Sequence, residues 1–587
     1  MTTRLPEVDI VLVGFGWTGA LLAKELTDAG HRVVALERGR ARQTVPDWQT
    51  PAMHDELTYA VRRGLMQDTA RETITFRNFA GQEALPMRQL GSFLPGTGVG
   101  GAGVHWNGQT FRFQESDFIL RSHVLARYGA GILQDGLTIQ DWGVTYAELE
   151  PYYDRFEKIC GVGGRAGNIG GRIQPGGDPF EAPRSSEFPN PPMEMPHAGA
   201  LFARGAERVG LHPAPVPSAN ASRPYRNPYG CEMQPCNFCG FCERFGCEHF
   251  AKASPQVCVL PAIRKNFELR VGCHVTRVNY DRAAKRATGV TYIDAAGREV
   301  EQPAGVVALC AFAFNNARLL LLSGIGQPYD PNTGEGVVGK NYTYQTMSGV
   351  NVFYGEDTRI NPWMGAGAAG SAAHDFNGDN FDHAGLGFIG GGYIGAYMTG
   401  GRPIEYHPVP SDTPRWGAAW KRAVRRHYNH TVAIGVHGSS MPHRGNALDL
   451  DPTYTDAYGQ KLLRMTFDFP GNDRLMSDYV TDKALEAAQA MGGERVDAAR
   501  RTGPYSIAPY QTTHNAGGAI MGTNPRESVV NRYLQSWDAH NLFVMGSTVF
   551  AHNPGYNPTG TVGALALWAA RALRDDYLPN PRPLVGA

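Results

Sequence analysis

Five of the nine cysteines fall within 17 residues of one another, whereas the other four are scattered along the chain. Cys236, Cys239, Cys242 and Cys247 form a CxxCxxC run with a fourth cysteine after four more residues, and Cys231 precedes them. Such short spacing lets successive thiolates reach adjacent corners of an iron–sulfur cluster. Zinc is an alternative, although a structural zinc site normally uses two separated pairs, and free buried cysteines are a third. The run favours a metal centre.

A second candidate site is the glycine pattern GFGWTG at residues 14–19. An apolar run precedes it, a stretch with helical periodicity follows, and the next apolar run ends at Glu37. This order is typical of dinucleotide binding, because Gly14 permits the turn, Gly16 admits a pyrophosphate and Gly19 lets the helix pack closely. Glu37 stands where an acid binds a ribose hydroxyl. The motif does not distinguish FAD from NAD, and a bare GxGxxG also arises by chance in a glycine-rich chain.

A third candidate is the glycine-rich segment between Gly96 and Arg112, GTGVGGAGVHWNGQTFR. It contains too much glycine for a helix or an ordinary strand interior. Its backbone amides could approach a flat or charged ligand closely. A flexible surface loop is the alternative, but His105, Trp106 and Asn107 would be unusual residues in one.

These candidates lie in a chain of 587 residues, which is too long for a single hydrophobic core. Hydrophobic residues make up 42% and charged residues 19%, so the composition is globular and excludes disorder. The 55 basic and 55 acidic residues leave no positive excess for nucleic acid. No apolar run is long enough to predict a transmembrane helix. The N-terminal residues show neither a basic n-region nor a twin arginine, so we expect no export signal in them.

Hydrophobic patterning predicts an α/β fold. Strands are expected at residues 8–13, 298–302, 305–314 and 541–545. Helices are expected at residues 20–29, 315–322, 474–491 and 561–573, and alternating strand-like segments between residues 350 and 469 predict a separate sheet.

Four of these features together resemble the glucose-methanol-choline (GMC) oxidoreductases. They are the βαβ opening with Glu37, the GVGG loop at residues 98–101, the LLLLSGIG segment at 319–326, and a C-terminal histidine followed by NPT at 557–559. Two departures are an Asn-Asn pair at 315–316, where Ser/Thr-Pro is usual, and a VGKN segment at 338–341 without the Asp-His that often follows. Both departures weaken the resemblance to the oxidases of the family, but they leave the prediction of FAD binding unchanged.

The resemblance implies a discontinuous Rossmann-like FAD-binding domain and a sheet-containing (α+β) substrate domain with a cysteine-rich iron–sulfur insertion. We expect the FAD-binding domain to comprise residues 1–115, 225–340 and 505–587, with the iron–sulfur segment at 231–258. Residues 116–224 and 341–504 are expected to form the substrate domain and its connecting segments.

The resemblance also implies the residues that contact the cofactor. The expected FAD contacts are Gly14, Gly16, Gly19, Glu37, Gly100, Gly101, His105, Asn107, Val275, Gly546 and Ser547. His105 matches a position at which some family members tether the flavin covalently, and without that bond it would still lie beside the isoalloxazine ring.

His514 matches the family's catalytic histidine, and Asn557 matches its partner position. The pKa of a histidine suits the removal of a hydroxyl proton from an alcohol. We therefore expect His514 to accept the proton and Asn557 to hold the substrate oxygen. Taken singly, each could instead be a satisfied buried polar group.

Four longer segments carry a narrower resemblance: GFGWTGALLAKELTDAG at 14–30, RQLGSFLPGTGVGGAGVHWNG at 88–108, PCNFCGFCERFGC at 235–247 and NPGYNPTGTVGALALW at 553–568. In these segments the chain resembles flavoprotein subunits of bacterial dehydrogenases that oxidise D-gluconate to 2-keto-gluconate. That similarity implies a 3Fe–4S cluster on three of the four cysteines, electron transfer to a membrane-anchored multihaem cytochrome c subunit, and a small subunit that carries the export signal. It places the complex at the periplasmic face of the bacterial inner membrane, and the chain alone in the cytoplasm.

Two other functions remain open. The same machinery could oxidise an uncharged polyol or sugar such as sorbitol, glucose or fructose, or the chain could be an electron-transfer subunit without a substrate of its own. Gluconate should require a cation near the flavin face, for which Arg112 and Arg359 are candidates.

Overall fold

The computed structural model describes residues 2–586. The strands are β1 Thr3–Arg4, β2 Val8–Val13, β3 Val33–Glu37, β4 Ile74–Arg77, β5 Leu85–Pro86, β6 Asn168–Ile169, β7 Arg172–Ile173, β8 Pro213–Pro215, β9 Tyr225–Arg226, β10 Glu232–Met233, β11 Phe267–Val271, β12 His274–Asp281, β13 Arg286–Ile293, β14 Glu299–Leu309, β15 Thr346–Phe353, β16 Gly370–Ala373, β17 Gly392–Tyr397, β18 Thr431–Gly438, β19 Ala447–Thr455, β20 Lys461–Thr466, β21 Arg495–Ala499 and β22 Leu542–Val544. The α-helices are α1 Trp17–Asp28, α2 Thr44–Asp47, α3 Glu115–Phe118, α4 Leu120–Tyr128, α5 Tyr146–Cys160, α6 His197–Arg208, α7 Pro255–Cys258, α8 Ala313–Ser323, α9 Gly417–His427, α10 Gly471–Ala490 and α11 Thr559–Arg571.

The first large sheet has eight strands in the order β11-β3-β2-β14-β13-β12, with β1 and β22 also paired to β14. Strands β11, β3, β2, β14 and β22 run parallel, so their carboxyl ends share one edge of the sheet. The central strand β2 is buried except at Asp9, as its apolar sequence predicts. Helix α1 connects β2 to β3, which confirms the expected βαβ opening.

Strand β14 differs from the sequence prediction. Two strands were expected, at residues 298–302 and 305–314, but the structure has one strand that ends at Leu309. Its first half pairs antiparallel with β13 and its second half pairs parallel with β2. Pro303 lies opposite Gly289 where the pairing partners change, so the proline does not end the strand.

The second large sheet has the order β21-β15-β18-β17-β16-β8. Alternating side chains divide β17 and β18 between two faces. On one face, Ile394, Ile434 and Val436 belong to the apolar cluster that also includes residues of helices α6 and α10. Tyr393, Tyr397 and His437 alternate with these apolar residues along the strands and therefore lie on the opposite face.

No helix within residues 2–586 combines the length and apolarity needed to cross a bilayer.

Two glycines provide a matched test of the turn after β2. Gly14 and Gly30 both have φ +96°, but a Cβ on Gly14 would lie 2.6 Å from the Cys310 carbonyl oxygen, whereas a Cβ on Gly30 would meet nothing within 4 Å. Both alanine variants should lose about 1–2 kcal/mol to the left-handed backbone. Gly14→Ala should lose about 1–3 kcal/mol more because of the contact. Thermal unfolding of both variants measures the difference, and equal losses would contradict the tight packing.

Candidate active site

A cavity of about 300 Å³ lies at the carboxyl ends of the parallel strands and extends to the second sheet. At one end it is lined by the glycine turn after β2 and by the end of β3. At the other end it is lined by side chains of β17, β18 and the segment before α11. The lining includes residues 13–18, 36–38, 101–103, 105–107, 273–275, 310–313, 512–514, 545–547 and 557–559, together with Gln109, Tyr397 and His437.

The glycine turn leaves room for an anionic ligand. Gly16 precedes α1, and a Cβ built on it would have only the Gly100 carbonyl oxygen within 4 Å, at 3.9 Å. The first N–H groups of a helix attract negative charge. Gly19 serves packing instead, because a Cβ there would overlap the Gly14 carbonyl. The turn therefore fits the pyrophosphate of a dinucleotide.

The Glu37 carboxylate joins three backbone segments. Its Oε2 accepts a hydrogen bond from Phe15 N at 3.1 Å, and its Oε1 accepts from Gly39 N at 2.8 Å and from Gly98 N at 3.1 Å. It is buried but also lines the cavity. Glu37 thus holds the glycine segments together at the position where a ribose contact is expected.

His105 also lines the cavity. Its side chain is buried, and its Nε2 has no hydrogen-bond partner within residues 2–586. Burial, with a smaller effect from the Lys252 ammonium, lowers the His105 pKa to about 3. A neutral imidazole with an unpaired buried nitrogen fits a position beside a ring system. This orphaned atom is the observation that best fits a flavin at this end of the cavity.

The other predicted cofactor contacts fall into two groups, those that line the cavity and those that do not. Five of them line the cavity, whereas Gly19 and Gly100 are not part of its lining. Gly100 has φ +91° and donates from its N to the Phe15 carbonyl at 2.8 Å, so it supports the glycine turn. The five lining residues are Gly101, Asn107, Val275, Gly546 and Ser547.

His514 and Asn557 meet at the cavity. Asn557 Nδ2 lies 3.3 Å from His514 Nε2, and both residues line the cavity. Burial lowers the His514 pKa to about 3, with a smaller contribution from His437. The imidazole is therefore neutral in the folded protein over the physiological pH range. The structure brings together the two residues that the sequence predicts as a catalytic pair.

Gln345 sets the tautomer of His514. The Gln345 amide Nε2 donates to the Gly555 carbonyl, which turns its Oε1 toward His514 Nδ1 at 2.7 Å. Because an amide oxygen only accepts, His514 Nδ1 carries the proton and donates it. His514 Nε2 is then the unprotonated nitrogen, and it accepts from Asn557. This nitrogen can take a proton from a hydroxyl group.

The second sheet supplies two aromatic side chains that the sequence analysis missed. Tyr393 OH donates to Asn557 Oδ1 at 2.7 Å, which turns Asn557 Nδ2 toward His514. Tyr397 OH contacts His437 Nε2, and burial lowers the His437 pKa to about 4. The polar residues alternate with apolar ones along β17 and β18. That period-2 pattern could have revealed them, once the buried face was known.

The cysteine run forms a loop next to the cavity. Cys236 Sγ accepts from Phe238 N at 3.4 Å and Cys247 Sγ accepts from Lys252 N at 3.5 Å. Burial, and to a smaller extent the nearby Cys242, raises the Cys239 pKa to about 12. Within residues 2–586, no three His, Cys, Asp or Glu side chains are arranged to hold a metal ion. The donor set suits an iron–sulfur cluster, but the cluster stays a prediction.

Lys252 connects the cysteine loop to the cavity wall. Its buried Nζ donates to the carbonyl oxygens of Trp106 at 2.8 Å, Cys242 at 2.6 Å and Phe245 at 2.9 Å. Burial lowers the pKa of this ammonium. One side chain therefore ties the segment beside His105 to the cysteine run.

Neither of the two arginines expected near the flavin lines the cavity. Arg112 is buried in ion pairs with Glu157, at 2.8 Å, and Glu150, at 2.9 Å. Arg359 is exposed and is not part of the cavity lining. The arginines that do line the cavity, Arg38 and Arg318, both pair with Glu72.

Comparison with known proteins agrees with this arrangement. Two models of the GMC oxidoreductase family match residues 142–347 and 442–566. The chain is 50% identical to the gluconate 2-dehydrogenase flavoprotein of Pantoea cypripedii, over 100% of this chain and 97% of that protein. It is 28% identical to the 2-methyl-1,2-propanediol dehydrogenase of Mycolicibacterium austroafricanum, over 97% and 95%. It is 26% identical to the fructose dehydrogenase large subunit of Gluconobacter japonicus, over 98% and 99%.

Two solved structures share the fold. Pyridoxine 4-oxidase from Mesorbium loti superposes with a TM-score of 0.58 at 19% identity, covering 97% of this chain and 100% of that chain. A variant of formate oxidase from Aspergillus oryzae superposes with a TM-score of 0.57 at 14% identity, covering 98% and 99%.

The buried histidines predict how stability depends on pH. The pKa is lowered to about 3 for His105 and His514, and to about 4 for His374 and His437, all chiefly by burial. In the unfolded chain a histidine titrates near its ordinary pKa of about 6.5. As the pH falls from about 6.5 to about 4, only the unfolded chain takes up these protons, so the free energy of unfolding falls.

His514→Gln tests the contribution of one ring. Each such histidine should contribute about 1.4 kcal/mol per pH unit to that fall. Denaturant unfolding at several pH values should therefore give His514→Gln a slope smaller by about this amount. His197→Gln, in which an exposed ring is replaced, should keep the parent slope. An unchanged slope in His514→Gln would contradict the burial of a neutral His514.

Proposed function

Because the chain belongs to the GMC oxidoreductase family, we propose that it is the flavoprotein subunit of a dehydrogenase that oxidises D-gluconate to 2-keto-gluconate. The proposal is supported by the 50% identity to a gluconate 2-dehydrogenase flavoprotein over the full length. The observation that carries it is the His514–Asn557 pair in the cavity, with Gln345 fixing the tautomer of His514.

The chain's own residues supply the proton chemistry. His514 Nε2 accepts the proton of the substrate hydroxyl, since the hydrogen bond to Gln345 keeps the proton of the neutral ring on Nδ1. Asn557 Nδ2 lies 3.3 Å from the same nitrogen and can donate to the substrate oxygen. Tyr393 OH holds the other end of that amide. The pair thus positions a hydroxyl oxygen and removes its proton.

FAD is the cofactor of this family, and the cavity fits it. When bound, FAD supplies the hydride acceptor. The turn at Gly14 and Gly16 would hold the pyrophosphate, and Glu37 the ribose. His105, with its unpaired Nε2, would lie against the flavin, where it either bonds covalently to the ring or packs against it.

The cysteine run supports the next part of the proposal. Cys236, Cys239, Cys242 and Cys247 would hold an iron–sulfur cluster of the 3Fe–4S type, with one cysteine to spare, which supplies a one-electron acceptor. The external acceptor would be a membrane-anchored multihaem cytochrome c subunit. A small subunit would carry the export signal, and the complex would lie at the periplasmic face of the bacterial inner membrane.

An uncharged polyol or sugar is the second candidate substrate. Among the described residues, the arginines and lysines that line the cavity are Arg38 and Arg318, both paired with Glu72. The lining near His514 contains Tyr397, His437 and the acidic Glu243. Hydroxyl groups can hydrogen-bond to these side chains, whereas a carboxylate would find no cation there. Relatives named for a propanediol and for fructose are consistent with this alternative.

Replacement of His514 tests the proposal. His514→Gln should lower kcat by about 10²–10⁴-fold with gluconate and a dye acceptor, because the proton acceptor is lost. FAD content should not change, since Gly14, Gly16 and Glu37 are intact. His197→Gln, an exposed position, should keep the parent kcat. A His514→Gln variant that oxidises gluconate at the parent rate would contradict the proposed base.

The same assay with sorbitol separates the two substrates. A higher kcat/KM for gluconate than for sorbitol supports the sugar-acid assignment. A reversed preference, with the same loss in His514→Gln, would favour the polyol. A chain that oxidises neither while its flavin is bound would favour an electron-transfer subunit without its own substrate.

Denaturation distinguishes the covalent bond from packing. If the bond forms, acid precipitation of the parent protein should leave flavin absorbance in the pellet, and precipitation of His105→Asn should release the flavin to the supernatant. Free flavin from the parent would show that His105 only packs against the ring.

A further inference from the structure

The cysteine run lies beside a second surface segment, residues 361–365. Gly240 N donates to the Gly365 carbonyl at 2.8 Å, and Gly365 N donates to the Phe238 carbonyl at 3.0 Å. Cys239 and Gly365 form a parallel bridge. The backbone that carries the cysteines is thus hydrogen-bonded to this neighbouring segment.

Large apolar side chains are exposed around this junction. The exposed fractions are 56% for Trp363, 41% for Met364 and 45% for Ile404. Trp363 and Met364 immediately precede Gly365, which pairs with the cysteine loop. Contiguous exposed apolar residues mark interaction sites on otherwise soluble surfaces.

Helix α9 extends this surface. None of its eleven residues is buried, and Trp416, just before it, is 83% exposed. At its far end, Tyr428 packs against Trp363, with ring centroids 6.2 Å apart. The helix and the junction therefore form one continuous surface. We refer to Trp363, Met364, Ile404, Trp416 and α9 as the α9 surface.

The charge of the α9 surface is of one sign along the helix. Residues 415–427 contain five basic side chains and no acidic one, although the whole chain has equal numbers of both. On the helix itself, Lys421, Arg422 and Arg425 are exposed and form no ion pair within residues 2–586. Complementary charge steers encounter between redox proteins. A partner for this surface should present acidic groups.

We propose that the α9 surface is the docking site for an electron-accepting protein with an acidic patch. The inference rests on the proposed function, because it concerns the route by which electrons leave the enzyme. Trp363 and Met364 directly precede the residue that pairs with the cysteine loop, so a protein docked there lies close to the predicted metal centre. The contact with the cysteine loop favours a redox protein over a lipid surface, because a lipid bilayer accepts no electrons. The exposed apolar residues supply the contact area. The basic side chains of α9 orient the acidic partner and increase its rate of association.

Cytochrome c in two charge forms serves as the probe. Succinylation of its lysines makes the protein acidic, whereas the unmodified protein is basic. Binding of the oxidised holoenzyme to each form is measured by surface plasmon resonance at low ionic strength. The parent should bind the acidic form about tenfold or more tightly than the basic form, and high salt should remove the difference.

Charge reversal locates the binding. Lys421→Glu/Arg425→Glu should remove the preference for the acidic form. The matched control Arg172→Glu/Lys265→Glu changes the same charge at exposed positions elsewhere and should keep it. A parent without preference, or a control that loses as much as the α9 variant, would overturn the proposal.

Two further measurements separate the alternatives. Gluconate-dependent dye reduction should be equal in the parent and in both charge variants. A parent protein that does not reduce the dye with gluconate would contradict the proposed function and not the docking site. Vesicles of equal parts phosphatidylglycerol and phosphatidylcholine test lipid binding. If Lys421→Glu/Arg425→Glu abolishes vesicle binding but leaves cytochrome binding unchanged, the α9 surface binds a membrane and the proposal is wrong.

Discussion

The buried Glu37 carboxylate is the interaction on which the cofactor end of the site depends. It accepts hydrogen bonds from the backbone at Phe15, Gly39 and Gly98, which belong to three different loops. Without it, three backbone donors would lose their partner at the edge of the sheet, at a cost of about 1–3 kcal/mol for each group left buried and unpaired. Glycine at two of the three positions lets the loops approach closely enough to share one side chain.

The second sheet completes the site from the opposite side. Its helices α6 and α10 bury one face, so the polar residues of β17 and β18 are directed to the cavity. Tyr393 turns Asn557, and Gln345 turns His514, so both members of the pair are oriented by buried hydrogen bonds. Such orientation before substrate binds is what lets a weak base act on a hydroxyl group.

The sequence predicts the local parts of this arrangement well. The βαβ opening follows from hydrophobic periodicity and from Gly14, Gly16 and Gly19, because these signals lie within one short segment. His514 and Asn557 follow from family resemblance and not from local pattern. Gln345 and Tyr393 were missed, since their roles depend on strand register and on contacts across more than 160 residues. Arg112 was considered as a substrate cation, but it forms ion pairs with the buried Glu157 and the half-buried Glu150.

The central claim is that this chain itself oxidises a sugar acid through its flavin. An anaerobic visible spectrum of the purified holoenzyme, recorded before and after D-gluconate is added, tests that claim most directly. The account predicts flavin bands that bleach on addition of gluconate in the parent protein. Bound flavin that stays oxidised with gluconate would contradict the sugar-acid assignment, and flavin that also stays oxidised with sorbitol would contradict the claim that the chain has a substrate of its own.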